Sequence, residues 1–283
     1  MISKLLLSIC FFFVFTFHST TQISEPESII VRANWNSGEM VRYEFTESVM
    51  IYNEGVLIDE QNHRTVFHID VASVQGNTGY ILLWQLVNTN APLFDDEVLD
   101  DYMYGLLGNG IVVHTNRFGG YTYSSNLRDI HEQFQQAVQT LDNRAHWYNK
   151  GQLREQLNFY LKDYNLFEDL ILRDFKFMHG LHGVQLVYDE EYTYDTWQQN
   201  PFGENVESTG TLLVNNFDSE TSNIEVTNRV ELHEKIENMH LSETQHYTIN
   251  TSTGWILRVD LIDNMQFDEW SRERKVIIRR IPT

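Results

Sequence analysis

The chain holds a single cysteine, Cys10, among its 283 residues. It lies in an apolar opening stretch, so everything downstream is barred from disulfides, thiolate metal sites and cysteine nucleophiles. The rest of the chain must be held by a hydrophobic core. Proline is also scarce, at 4 residues, and low-complexity tracts are absent, which favours an ordered chain throughout. Positive charge is the third shortage: 20 Lys and Arg stand against 40 Asp and Glu, for a formal charge of −20. A surface of that sign repels nucleic acid and anionic membranes over most of its area, so no nucleic acid is expected as a partner. The basic tail of Arg272, Arg274, Lys275, Arg279 and Arg280 is the exception. It interleaves with Val276, Ile278 and Ile281, which is the alternation of a final strand.

Catalytic signatures are missing too. There is no Gly-x-Ser-x-Gly elbow for an esterase. The glycine-rich Gly105-Leu-Leu-Gly-Asn-Gly110 lacks the lysine and the following helix of a phosphate loop, and reads as a connection between a helix and a strand. His233-Glu234 and His131-Glu132 start like the helical zinc-protease motif, but Glu237 and Gln135 occupy the place of the second histidine. His240, Glu243 and His246 have the wrong spacing for its inverted form. His179 and His182, with Asp174 upstream, stand close enough on a helix to share one metal, yet a further ligand is wanting and helix ends favour histidine in any case. The acidic cluster Asp95, Asp96, Glu97, Asp100 and Asp101 lacks the alternation and glycine of a calcium loop, and fits an acidic helix start instead. No catalytic, cofactor or metal residue is therefore assigned, and a non-catalytic protein is the preferred expectation.

One long apolar run is present. Lys4 precedes Leu5–Phe17, and the small residues Ser19, Thr20 and Thr21 come after it. A positive start, a short apolar core and a small-residue exit describe a cleaved export signal, since a spanning helix needs roughly 20 apolar residues. Cleavage is placed between Thr21 and Gln22, with a cut nearer Ser19 as the alternative. Lipidation at Cys10 fits poorly, because Ile9 is bulky and Cys10 lies inside the run. The expectation is a signal peptide over 1–21 and a single exported domain over 22–283, periplasmic or extracellular, with no stable membrane span after cleavage.

Periodicity divides that domain. From 30 to 123 the pattern is of strands: Met40–Tyr52 alternates, the turn Asn53-Glu54-Gly55 breaks it, and further strands occupy Thr65–Val74 and Tyr80–Val87. An acidic helix is expected near Asp95–Leu107, then short strands at Ile111–His114 and Tyr121–Tyr123. From 124 to 182 the period changes. Leu127, Ile130, Phe134, Val138, Leu141, Ala145 and Tyr148 recur at three- and four-residue steps, one stripe of a helix. Helical spacing resumes over Leu153–Tyr164 and Leu166–Leu181. From 183 to 283 strands return at Val184–Trp197, Thr209–Phe217, Ile224–Leu232, Glu243–Asn250, Trp255–Ile262 and Lys275–Ile281. The fold class is α+β: a large curved antiparallel β-sheet, half-barrel-like, with a central insertion of two or three helices packed on it.

Three segments carry a resemblance: Thr21-Gln22 at the signal exit, Gly110-Ile-Val-Val-His-Thr-Asn-Arg-Phe-Gly119 leading into Leu127, and the hairpin Ser252-Thr253-Gly254-Trp255-Ile256. With this plan the chain resembles uncharacterised exported β-rich proteins of Bacteroidota, a domain of unknown function. It is similar, in architecture alone, to periplasmic lipoprotein carriers. Of the tryptophans, Trp84 and Trp255 sit in apolar strands and read as core, whereas Trp197 borders a polar loop and is the best placed for an exposed contact. The function expected is binding of an apolar or amphipathic ligand, or of an envelope protein, in the concavity of the sheet. The alternatives are an envelope hydrolase whose site is assembled from distant residues, and a structural or assembly module.

Overall fold

The computed structural model describes residues 28–93, 97–142, 157, 160–188, 190–199, 205–218, 222–232 and 238–283. The segment read as an export signal, Cys10, Trp147 and the His233-Glu234 pair lie outside the described residues. Five strands of the first half form a meander: β2 (Met40–Asn53), β3 (Val56–Val74), β4 (Tyr80–Thr89), β5 (Ile111–Thr115) and β6 (Tyr121–Ser124). After a helical middle comes a second meander: β8 (Glu191–Gln199), β9 (Asn205–Asp218), β10 (Asn223–Leu232), β11 (Met239–Asn250), β12 (Ile256–Phe267) and β13 (Trp270–Ile281). Pairing of the first long strand with the last, β2 against β13, fuses the two arms. The result is one open, curved 11-stranded antiparallel sheet in the order β6-β5-β4-β3-β2-β13-β12-β11-β10-β9-β8. A separate two-stranded ribbon joins β1 (Ser28–Ile30) to β7 (Gln185–Val187).

Several strands run past their expected ends, and two expectations change more. The strand expected from Thr65 begins at Val56, because Val56 to Asn62 are exposed on both faces and so carry no burial alternation; only backbone pairing with β2 reveals them. The strand expected over Val184–Trp197 is two. Its first part bonds to β1 and its second to β9, so the chain changes sheet between them.

Among the described residues, three long helices pack over the concave face, α1 (Glu97–Gly108) against β4, α3 (Tyr164–His179) against β12, and α2 (Leu127–Asp142) against the other two. Residues 143–148 of the expected long helix lie outside the described residues, and so does most of 153–159. Asp163 caps α3, its carboxylate accepting the Asn165 amide at 2.8 Å. The buried stripe of α3 is Phe167, Ile171, Leu172, Phe175 and Met178, the three- and four-residue spacing of one helix face. It meets Trp84, whose indole stacks on Phe67 at 4.5 Å. Buried residues of both arms and all three helices belong to one continuous apolar cluster. Each such side chain contributes about 1.5–3 kcal/mol on leaving water.

One end of the sheet is tied by residues 31–36, which thread between three loops. The Ala33 amide donates to the Phe118 carbonyl at 2.7 Å, Asn34 to Thr253 at 2.9 Å, and Gly183 to Val31 at 2.8 Å. The Gly110–Gly119 segment and the Ser252–Ile256 hairpin thus converge on the same strip. Gly254 has φ +76°, and a Cβ there would run into the Arg32 carbonyl. Trp35 and Trp255 stack at 4.4 Å beside this strip, and the Trp255 indole donates to Glu39 at 2.6 Å. No helix among the described residues is long and apolar enough to cross a membrane.

Candidate ligand site on the concave face

Directly paired residues of neighbouring strands point to the same face of a sheet. One such row runs Tyr192, Leu212, Asn228, Gln245, Leu261, Val276, Glu47 and His63 across β8 to β3. It is neutral at the β8 end, which starts with Tyr192, and carries the ionisable Glu47 and His63 at the β3 end. Helix α3 touches β12 near the middle of the sheet, and pockets lie on both sides of that helix.

The larger pocket, about 690 Å³, is walled by Phe177, Leu181 and Val184 above and by Tyr192, Tyr194, Leu212 and Tyr247 below. That volume is in the range of small-molecule sites. Its floor carries a ladder of uncharged polar groups. Tyr194 donates to Asn228 Oδ1 at 2.9 Å, Asn228 Nδ2 to Gln245 Oε1 at 3.1 Å, and Tyr247 to the same Oε1 at 2.7 Å. Gln245 Nε2 in turn donates to Glu243. Burial pushes both phenols up, so at neutral pH they are O–H donors. Burial also raises the Glu243 carboxyl. Gly210 makes the ladder reachable: the Tyr194 ring lies across its Cα, where any Cβ would overlap the ring.

The smaller pocket, about 370 Å³, lies under α1 and the other side of α3. Phe45, Phe67, Trp84 and Leu86 form its apolar wall, and Glu47, Arg274, Arg173 and Asp174, with His63, its polar one. Each carboxylate there is committed to an arginine: Glu47 to Arg274 at 2.5 Å and Asp174 to Arg173 at 3.2 Å. Although burial opposes ionisation of Glu47, Arg274 and Arg173 outweigh it and hold the carboxyl below its ordinary value.

The sequence-derived candidates are scattered rather than gathered. His179 and His182 do meet, with ring centroids 4.9 Å apart, but they are buried in the core against Trp35 and Phe175, and Asp174 faces the smaller pocket instead. Desolvation lowers both imidazoles, that of His182 to about 4. His131 packs at a tilt on Phe167, ring centroids 4.7 Å apart, and bonds to the Tyr160 carbonyl at 3.0 Å. Within β11, Glu243 points to the concave face while His240 and His246 point to the convex one. Asp95 and Asp96 lie outside the described residues, and Asp100 accepts the Leu93 amide at 3.0 Å near the start of α1. Among the described residues, no three His, Cys, Asp or Glu side chains gather as a metal site would require. Trp84 and Trp255 are core; Trp197, 61% exposed, projects from the convex face, away from both pockets. The pocket residues Tyr192, Tyr194, Asn228, Gln245 and Tyr247 were not singled out by the sequence. Their one signal was polar Asn228 and Gln245 at inward positions of apolar strands.

No family model matches the chain, and no curated protein matches it. Among solved structures, it is similar to a lipovitellin chain from work described as lipid-protein interactions in lipovitellin, with a TM-score of 0.51 and 9% identity. The similarity covers 88% of this chain and 26% of that one, so this chain spans about a quarter of the length of its neighbour. At that identity the likeness is one of fold.

Proposed function

We propose that this chain is an exported binding protein that holds an apolar or amphipathic ligand in the concavity of its sheet. The observation that carries the reading is the larger pocket, an aromatic and aliphatic hollow between α3 and four strands of the second arm. Export is supported by the apolar run Leu5–Phe17 after Lys4. A neighbour of the same fold whose description concerns lipid contacts is consistent with an apolar ligand here. Protein purified from its own host should show, by native mass spectrometry, an adduct that solvent extraction removes and thin-layer chromatography identifies as apolar. Ligand-free protein that also fails to take up an apolar fluorophore would contradict the reading.

Binding of an envelope protein is the second reading. It is favoured by a hairpin end that carries exposed Val56, Leu57 and Ile58 next to exposed Trp270 at the start of β13. Cross-linking from Trp270→Cys in a membrane preparation would capture such a partner, and labelling no greater than from an exposed convex-face cysteine would exclude it.

A further inference from the structure

We propose that the larger pocket selects an uncharged acyl ester over a free fatty acid. The inference rests on the reading that the concavity holds an apolar ligand, and it names the chemical class. Asn228 and Gln245 line the pocket at 7% and 6% exposure. A side-chain amide nitrogen carries two hydrogens. Asn228 Nδ2 spends one on Gln245, and Gln245 Nε2 spends one on Glu243, so each retains one N–H for an acceptor brought in by a ligand. The amide oxygens are already engaged: Asn228 Oδ1 by Tyr194, and Gln245 Oε1 by both Asn228 and Tyr247. The floor therefore offers donors to an oxygen, which an ester carbonyl satisfies.

A carboxylate also accepts hydrogen bonds, but it brings a charge that the site does not balance. Lys176 is the cation among the described residues lining this pocket. Its ammonium is held by Glu168 at 2.8 Å and Asp169 at 2.7 Å, and sits 4.9 Å over the ring of Tyr121. The ladder ends on Glu243, an acceptor rather than a cation; Asp263 across the strand pair is held by Arg272 at 2.7 Å, and neither Arg272 nor Arg274 lines this pocket, so among the described residues the floor presents no free positive charge to a second anion. An unpaired charge in an apolar site is far costlier than a neutral acceptor with a donor.

The test uses the full chain at neutral pH with three probes of one chain length: a fatty-acid methyl ester, the free acid and the parent alkane, each competing with a bound apolar fluorophore. The ester should bind about tenfold or more tightly than the acid, since an uncompensated charge costs at least one decade of affinity. In Asn228→Leu the ester should fall roughly three- to tenfold toward the alkane, the range of one neutral hydrogen bond, while the alkane is retained. Acid binding as tightly as ester, or an unchanged ester-to-alkane ratio in the variant, would overturn the proposal and leave the apolar pocket standing. Failure of all three wild-type probes would instead remove the reading on which it rests.

Discussion

Acidification should weaken this fold before its carboxylates lose their ion pairs, and His182 is a principal reason. The imidazole is buried between Trp35, His179 and the Gly119 backbone, and its Nε2 bonds to the Gly254 carbonyl at 2.8 Å. Desolvation brings its pKa from 6.5 to about 4. In the unfolded chain it takes up a proton near 6.5, whereas in the folded one it stays neutral to about 4, so the unfolded state binds more protons across that window. Stability contributed by the neutral, buried ring is full above pH 6.5 and falls as pH drops, the loss being complete near 4. At 1.36 kcal/mol per unit, the loss is about 2 kcal/mol by pH 5 and about 3 kcal/mol by pH 4. His179, lowered mainly by burial and further by His182, acts in the same direction. Glu243 acts in the opposite direction, because its raised carboxyl takes up a proton first in the folded state. Urea denaturation of the wild type and of His182→Gln at pH 7 and pH 5 separates these contributions. Glutamine keeps an N–H for the Gly254 carbonyl and does not titrate, so the stability lost between the two pH values should be about 2 kcal/mol smaller in the variant. Equal losses in both proteins would refute the reasoning.

The same contacts set the outcome of four further substitutions. Gly254→Ala should destabilise by at least about 2 kcal/mol in urea titrations, because it combines a left-handed φ of +76° with overlap on the Arg32 carbonyl. Gly180 caps α3 with ordinary helical angles and lines the larger pocket, so Gly180→Leu should leave stability within about 0.5 kcal/mol yet lower apolar-probe affinity in a fluorescence titration. Gly210→Ala should push Tyr194 off its strand, separate it from Asn228 and lower ester affinity about three- to tenfold, with alkane binding kept. Trp197→Ser, on the convex face, should change neither stability by more than about 0.5 kcal/mol nor binding of any probe.

Much of the architecture could be read from spacing, since one face of most strands meets the core and the other meets water. Val41, Tyr43 and Phe45 on β2, and Leu99, Met103 and Leu107 on α1, write that contrast directly into the chain. The pattern fails where the contrast is absent. Val56 to Asn62 are exposed on both faces, so the hairpin there is set by backbone pairing alone. The pairing of β2 with β13 joins residues from the two ends of the domain, and no local signal announces it.

The site was less legible still. Tyr194, Asn228, Gln245 and Tyr247 come from β8, β10 and β11, and each looks ordinary within its own strand; only the register makes them a ladder. Histidine spacing drew attention instead to His179 and His182, which the fold uses as packing beside Trp35.

The central claim is that ligand sits on the concave face between α3 and the second arm. A photoactivatable acyl ester, cross-linked to the full chain and mapped by peptide mass spectrometry, tests it most directly. Labels on Phe177, Leu181, Tyr192 or Tyr247, competed away by unlabelled ester, are the expected result. Labels confined to convex-face residues such as Trp197, or spread evenly and indifferent to competitor, would contradict it.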